Sequence, residues 1–344
     1  GLPFISGRWN PHLSAQVFNI RRQVENGLDI EEFPCTACYP ETTYGDLTYN
    51  LWEVNLLARS KLSRVLLGEV GYRYSPYRVK TNSFFSKELA QTVPSSSSRY
   101  FIGRAWMARL TYEGFHPHIN SDVIPDGLRA DVEIESERGR LLDSFDISEG
   151  TLQPVYEANR INRVTVSARG GMRLPGPKGT GAHGIGIRMR ASTILGAEVD
   201  DFYNDFVGGM TGARGYPFYA LGGNETWWPG ISYLFPLAPR IDRQAGFLYL
   251  DKVYGRIYAD AAMAWSGPWP GFNDVRKDIG AEIRIGLGSF YILPTALFVS
   301  GTYGMDSFDF QLDEGFVTPD GRQSVRYGKE WQWHVGLLFG FDQF

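Results

Sequence analysis

The chain has 344 residues, a net charge of −4, 40 glycines, and 22 Phe, 19 Tyr and 9 Trp. No run approaches the ~20 apolar residues of a spanning helix, which excludes helical membrane spans, and the slightly acidic balance argues against nucleic acid as a partner. A β-barrel is not excluded: its strands need only ~9–11 residues and turn every second side chain to lipid. A secreted β-sandwich array suits the same composition. No cationic, apolar leader is visible and the first residue is Gly1, so either processing removed a leader or this is a C-terminal piece of something longer; residues 1–344 are expected to be a single outer-membrane β-barrel domain, the C-terminal part of a longer protein.

Leu13–Val24 reads as one strand, and Asn26–Thr43 as a loop with acids and prolines. Tyr44–Ala58 and Leu62–Tyr74 read as strands joined through Arg59-Ser60-Lys61. Ser75–Ser98, with Pro76, Pro94 and the serines 95–98, reads as a long exposed loop. In Tyr100–Tyr112 one face carries Tyr100, Ile102, Trp106, Ala108, Leu110 and Tyr112, with aromatics at both ends as two membrane interfaces require. Leu128–Glu135 alternates Leu128, Ala130, Val132 and Ile134 against Arg129, Asp131, Glu133 and Glu135. A soluble sandwich strand shows that pattern; a polar lumen accounts for it equally well. Arg138, Asp143 and Asp146 read as a solvated loop. Alternation returns at 164–169 and at Ile185–Leu195. It continues in Trp227–Leu237, Val253–Trp265, Ile279–Leu287, Tyr291–Tyr303 and Trp331–Phe341. Apolar residues recur every second position and helical stripes are absent. The pattern predicts an all-β fold, a transmembrane antiparallel β-barrel of about 12–16 strands, with seven or eight strands before the segment 208–224 and five after it.

Residues 208–224 hold six glycines and Arg214. A long ordered loop tends to be functional, and this one is expected to fold back into the barrel, pinned by Arg214. Strand parity turns Asp260 to the face opposite Ile257, Ala259 and Ala261. It turns Glu282 opposite Ala281 and Ile283. A carboxylate in a low-dielectric lumen favours an opposite charge, and the arginine fork suits it. Arg214 is therefore expected to dock on Glu282, Asp260 or both.

Arg214-Gly215-Tyr216 resembles the Arg-Gly-Phe/Tyr loop signature of the bacterial surface antigen superfamily, which includes outer-membrane barrel-assembly proteins and two-partner secretion pores. The run from Gly208 to Asn224 is closer to the branch in which the barrel follows a Tol-type β-propeller. Segments 249–254, 277–284 and 303–306 look like that branch too. His334-Val335-Gly336-Leu337-Leu338-Phe339-Gly340-Phe341 fits the outer-membrane β-signal, with His334, Gly336, Phe339, Phe341 and the last residue, Phe344, as its marks. The resemblance implies sixteen strands, a lumenal lock of Arg214, Gly215 and Tyr216 on Asp260 and Glu282, and an outer-membrane location in a Gram-negative-type bacterium. Its implied partners are outer-membrane lipids, the barrel-assembly machinery and a periplasmic propeller or other subunits. It implies polypeptide insertion into, or export across, the outer membrane. The alternatives are a structural anchor that transports nothing and a passive porin. Asp260-Ala261-Ala262 departs from the usual Asp-x-Gly at Ala262.

Cys35-Thr36-Ala37-Cys38 follows Pro34 and precedes Tyr39-Pro40. That context does not suit the helix N-terminus a redox Cys-x-x-Cys needs, and Cys35–Cys38 reads as a short disulfide staple. His116 and His118 flank Pro117 without a third ligand at sensible spacing, so no metal site and no cofactor is expected. No nucleophile–base pair stands out within the strands, and an enzyme is not expected.

Overall fold

The computed structural model describes residues 11–32, 41–86, 90–116, 124, 126–148, 151–176, 183–196, 203–218, 220–289, 293–311 and 322–339. The chain divides into two compact units, Gly1–Leu110 with Glu133–Arg163 and Thr111–Val132 with Val164–Phe344.

In the first unit β1 (His12–Glu32), β2 (Glu41–Lys61) and β3 (Leu66–Thr81) pair antiparallel in turn. A small hairpin of β4 (Phe84–Ser86) and β5 (Gln91–Val93) follows. β6 (Ser97–Phe115), β7 (Gly127–Ser148) and β8 (Thr151–Leu174), each of which belongs in part to the second unit, continue the order β1-β2-β3-β6-β7-β8. Their inward faces carry charge. The Arg73 Nη2 donates at 2.6 Å to both Glu135 and Glu137, which are buried. Arg109 is bonded to Glu133 and lies 3.5 Å from Glu69, which also receives Arg59 at 2.9 Å. Trp106, by contrast, is 68% exposed.

The second unit contains β9 (His183–Leu195), β12 (Glu225–Ala238), β14 (Leu248–Trp265), β15 (Arg276–Ser289), β16 (Leu293–Gly304) and β19 (Trp331–Phe339) as consecutive antiparallel neighbours. Five short pieces attend them: β10 (Asp205–Phe206) with β11 (Gly222–Gly223), β13 (Arg243–Ala245) on β14, and β17 (Phe308–Gln311) with β18 (Ser324–Tyr327). Ile283 is 53% exposed while its neighbour Glu282 is 7% exposed. Ile257 and Ile279 are likewise exposed beside buried Tyr258 and Asp278. On these strands the exposed face is apolar and Asp260, Asp278 and Glu282 lie on the buried one, the reverse of a water-soluble sheet and the arrangement a lipid-facing wall requires. Among the described residues no helix is long and apolar enough to cross a membrane, which leaves crossing by strands open.

Among the described residues seven long strands precede the loop and five follow it. Four sequence expectations need correction. The described parts of Asn26–Thr43 are strand: β1 continues to Glu32 and β2 begins at Glu41. A register shift between Val24 and Leu28 breaks the apolar period there and made the continuation look like loop. The β2–β3 connection lies at 62–65, where the Leu62 amide donates to the Leu66 carbonyl and the Ser63 hydroxyl accepts from the Leu66 amide. Ser75–Ser98 is not one exposed loop: Ser75, Val79, Thr81, Phe84, Ser86 and Val93 are buried. Polar composition misled because small hydroxyls can line an interior when hydrogen-bonded. Residues 136–148 and 151–157 belong to β7 and β8. Charges occur there on both parities, and the buried Glu137 leaves no apolar alternation to read. Cys35, Cys38, His118, Phe341 and Phe344 lie outside the described residues.

Candidate functional site: the arginine loop

The segment from Tyr203 to Asn224 folds onto the polar face of the second unit. Its ends are held by the β10–β11 ladder, and the Val207 amide donates to the Leu221 carbonyl at 2.9 Å. A 3-10 turn covers Gly209–Thr211, and the Gly209 amide donates to the Tyr216 carbonyl at 2.8 Å. Val207, Ala213, Tyr216, Ala220 and Leu221 make a small core with Trp228 of β12 and Ala262 of β14, all buried. At Ala262, where the superfamily pattern has glycine, the methyl group is fully enclosed in this core. Burial of that apolar area compensates for the loop's lost chain entropy.

Three consecutive residues then grip the wall in three ways. Arg214 is 5% exposed; its Nε lies 3.6 Å from an Asp260 carboxylate oxygen and its guanidinium centre 3.9 Å above the Tyr258 ring. Tyr258 is fixed in turn by Ser300 and Thr302, 2.5 and 2.6 Å from its hydroxyl. Cation–π and ion-pair terms act together in a desolvated place, where each is stronger than in water.

Gly215 donates its amide to Asp278 at 3.0 Å. A Cβ on Gly215 would lie 2.7 Å from the Asp278 Cβ and 2.8 Å from the Gly304 Cα, so only glycine permits this approach. Gly215→Ala is expected to lift the loop and expose the peptide bond that follows Arg214. Trypsin should cut the variant there and leave the wild type intact at this position.

Tyr216 is 1% exposed. Its hydroxyl lies 2.9 Å from the Lys277 carbonyl and 3.1 Å from the Asp306 carbonyl, and it accepts from the Asp306 amide at 3.1 Å. Its ring meets Phe308 at 5.9 Å. Burial pushes the phenol up to about 12, so it remains neutral.

The structure thus brings Arg214, Gly215, Tyr216 and Asp260 together. Glu282 lines the same cavity as Arg214, but its Oε1 receives Arg284 at 2.8 Å instead. The acid missed from the sequence is Asp278. It has the same strand parity as Glu282, four residues on, and parity alone could have found it. His334 lines the cavity too, and Gly336 follows on the same face of β19. Trp331, Trp333, Val335 and Leu337 are exposed on its other face. Phe339 is the last residue of that strand.

No protein-family model matches the chain, and no curated protein matches it in sequence. Among solved structures the chain is similar to BamA from Haemophilus ducreyi lacking POTRA domains 1–3. The TM-score is 0.53 at 11% identity, over 95% of this chain and 62% of that one. That likeness shows the fold: the chain has the all-β, antiparallel barrel fold of a BamA-like structure.

Proposed function

We propose that this chain is an outer-membrane β-barrel of the surface antigen superfamily, that it acts on polypeptides by inserting them into or exporting them across the outer membrane, and that the Arg214 loop is its lumenal lock. The observation that carries the reading is the clasp of Arg214, Gly215 and Tyr216 on Asp260, Asp278 and the Lys277–Asp306 backbone. The BamA-like fold and the outward apolar face support it. So does the aromatic end of the wall, where Trp331 contacts both Tyr303 and Trp333, as at a membrane interface. The loop spans wall strands β14 to β16, which suits a gate better than a permanently open porin. The propeller-fused branch remains the proposed subgroup, with a periplasmic propeller, outer-membrane lipids and the assembly machinery as partners in a Gram-negative-type bacterium.

The membrane reading has its own test. Val299, exposed near the middle of β16, is expected to face hydrocarbon. Val299→Arg should cost about 2–4 kcal/mol in urea titrations in lipid vesicles, and no cost would remove the lipid face from this wall. For function, the purified chain is reconstituted in vesicles and a urea-unfolded outer-membrane barrel protein is added. Faster insertion of that client than into empty vesicles is expected. An unchanged insertion rate with a correctly folded, membrane-embedded chain would make it an anchor.

A further inference from the structure

Beneath the loop lies a cavity of about 200 Å³, lined by Arg188, Arg214, Arg256, Arg284, Glu282 and His334 among others. It has room for roughly six water volumes. Two of the four guanidiniums have carboxylate partners, Arg284 on Glu282 and Arg214 on Asp260. Arg188 and Arg256 form an ion pair with none of the described residues; they lie 5.0 Å from the Trp228 ring and 5.5 Å from the Tyr258 ring. Arg214, nineteen-twentieths buried, has both terminal nitrogens enclosed without a protein acceptor, and so do the Arg188 Nη2 and the Arg256 Nε. The Arg214 and Arg256 guanidiniums share one aromatic ring, Tyr258, so donors from the loop and from the wall converge.

Like charges gathered in a confined space repel, and enclosed donors without acceptors are costly. A cluster of guanidinium forks with excess positive charge matches an oxyanion with several acceptor oxygens. We propose that this cavity is a binding site for a phosphate-type oxyanion, held by Arg188, Arg256 and Arg214. The anion joins loop to wall, so its binding steadies the docked loop. The proposal does not depend on the chain acting on polypeptides.

The test uses the folded chain in detergent, at constant ionic strength, with inorganic phosphate against chloride, and in parallel in nanodiscs with and without phosphatidic acid. Calorimetry should show saturable phosphate binding and a rise in thermal midpoint. Arg256→Gln and Arg188→Gln should each weaken binding by about tenfold or more. Arg59→Ala, which removes an exposed arginine paired with Glu69, should leave it unchanged. Response to inorganic phosphate assigns a soluble anion; response only to phosphatidic acid assigns a lipid headgroup. Should either glutamine variant fail to fold, the other and the wild type decide. No response of the wild type to either source, or equal binding by the folded glutamine variants, overturns the proposal.

Discussion

Arg214→Ala is expected to destabilise the folded chain by about 3–5 kcal/mol, because it removes the ion-pair partner of the buried Asp260. Asp260 is 4% exposed and neither carboxylate oxygen has a hydrogen-bond partner in the protein, so its charge is offset by the Arg214 guanidinium first and by Arg256 second. The cation–π contact with Tyr258 is lost in the same substitution. Urea titration in vesicles measures the cost. Adding Asp260→Asn to Arg214→Ala should recover a large part of it, since an amide is cheaper to bury than a lone carboxylate. Two independent sites would give additive losses instead, and that would dissolve the pair.

Tyr216→Ala should act as strongly by a different route. The ring fills the centre of the loop core and the hydroxyl ties the loop to both β15 and the turn after β16. Removing a buried aromatic ring typically costs about 3–5 kcal/mol, and here the loss falls on the docked state of the loop. Tyr216→Phe separates the two parts. It keeps the ring and removes only the hydroxyl contacts, for about 1–3 kcal/mol. Protection of the 203–224 segment from protease should fall slightly in the phenylalanine variant and collapse in the alanine variant. Equal protection in all three would show that Tyr216 does not hold the loop.

Strand parity made most of the wall legible. A sequence such as Ile279-Gly280-Ala281-Glu282-Ile283 can bury one face only, and the polar face had to be the inner one once a membrane was assumed. The Arg214 loop stood out because six glycines beside one arginine are hard to explain as solvent-exposed chain. What failed to read was interior made of polar residues. Glu135 and Glu137 are buried on Arg73 from a strand 62 and 64 residues away, and no local period announces such a partner. Glu282 went to Arg284, two residues along its own strand, because a same-face neighbour is in reach before any loop arrives. The hairpin 84–93 was hidden by serines and prolines that suggest solvent. The cavity arginines came from four places, β9, the loop, β14 and β15, and only the fold assembles them.

The most direct measurement is single-channel conductance of the purified chain in planar bilayers, wild type beside Arg214→Ala. A docked loop that closes the lumen predicts a nearly silent wild type and a variant that opens or flickers. A wild type that already conducts steadily, with a variant indistinguishable from it, would contradict the lock and leave a plain porin as the better description.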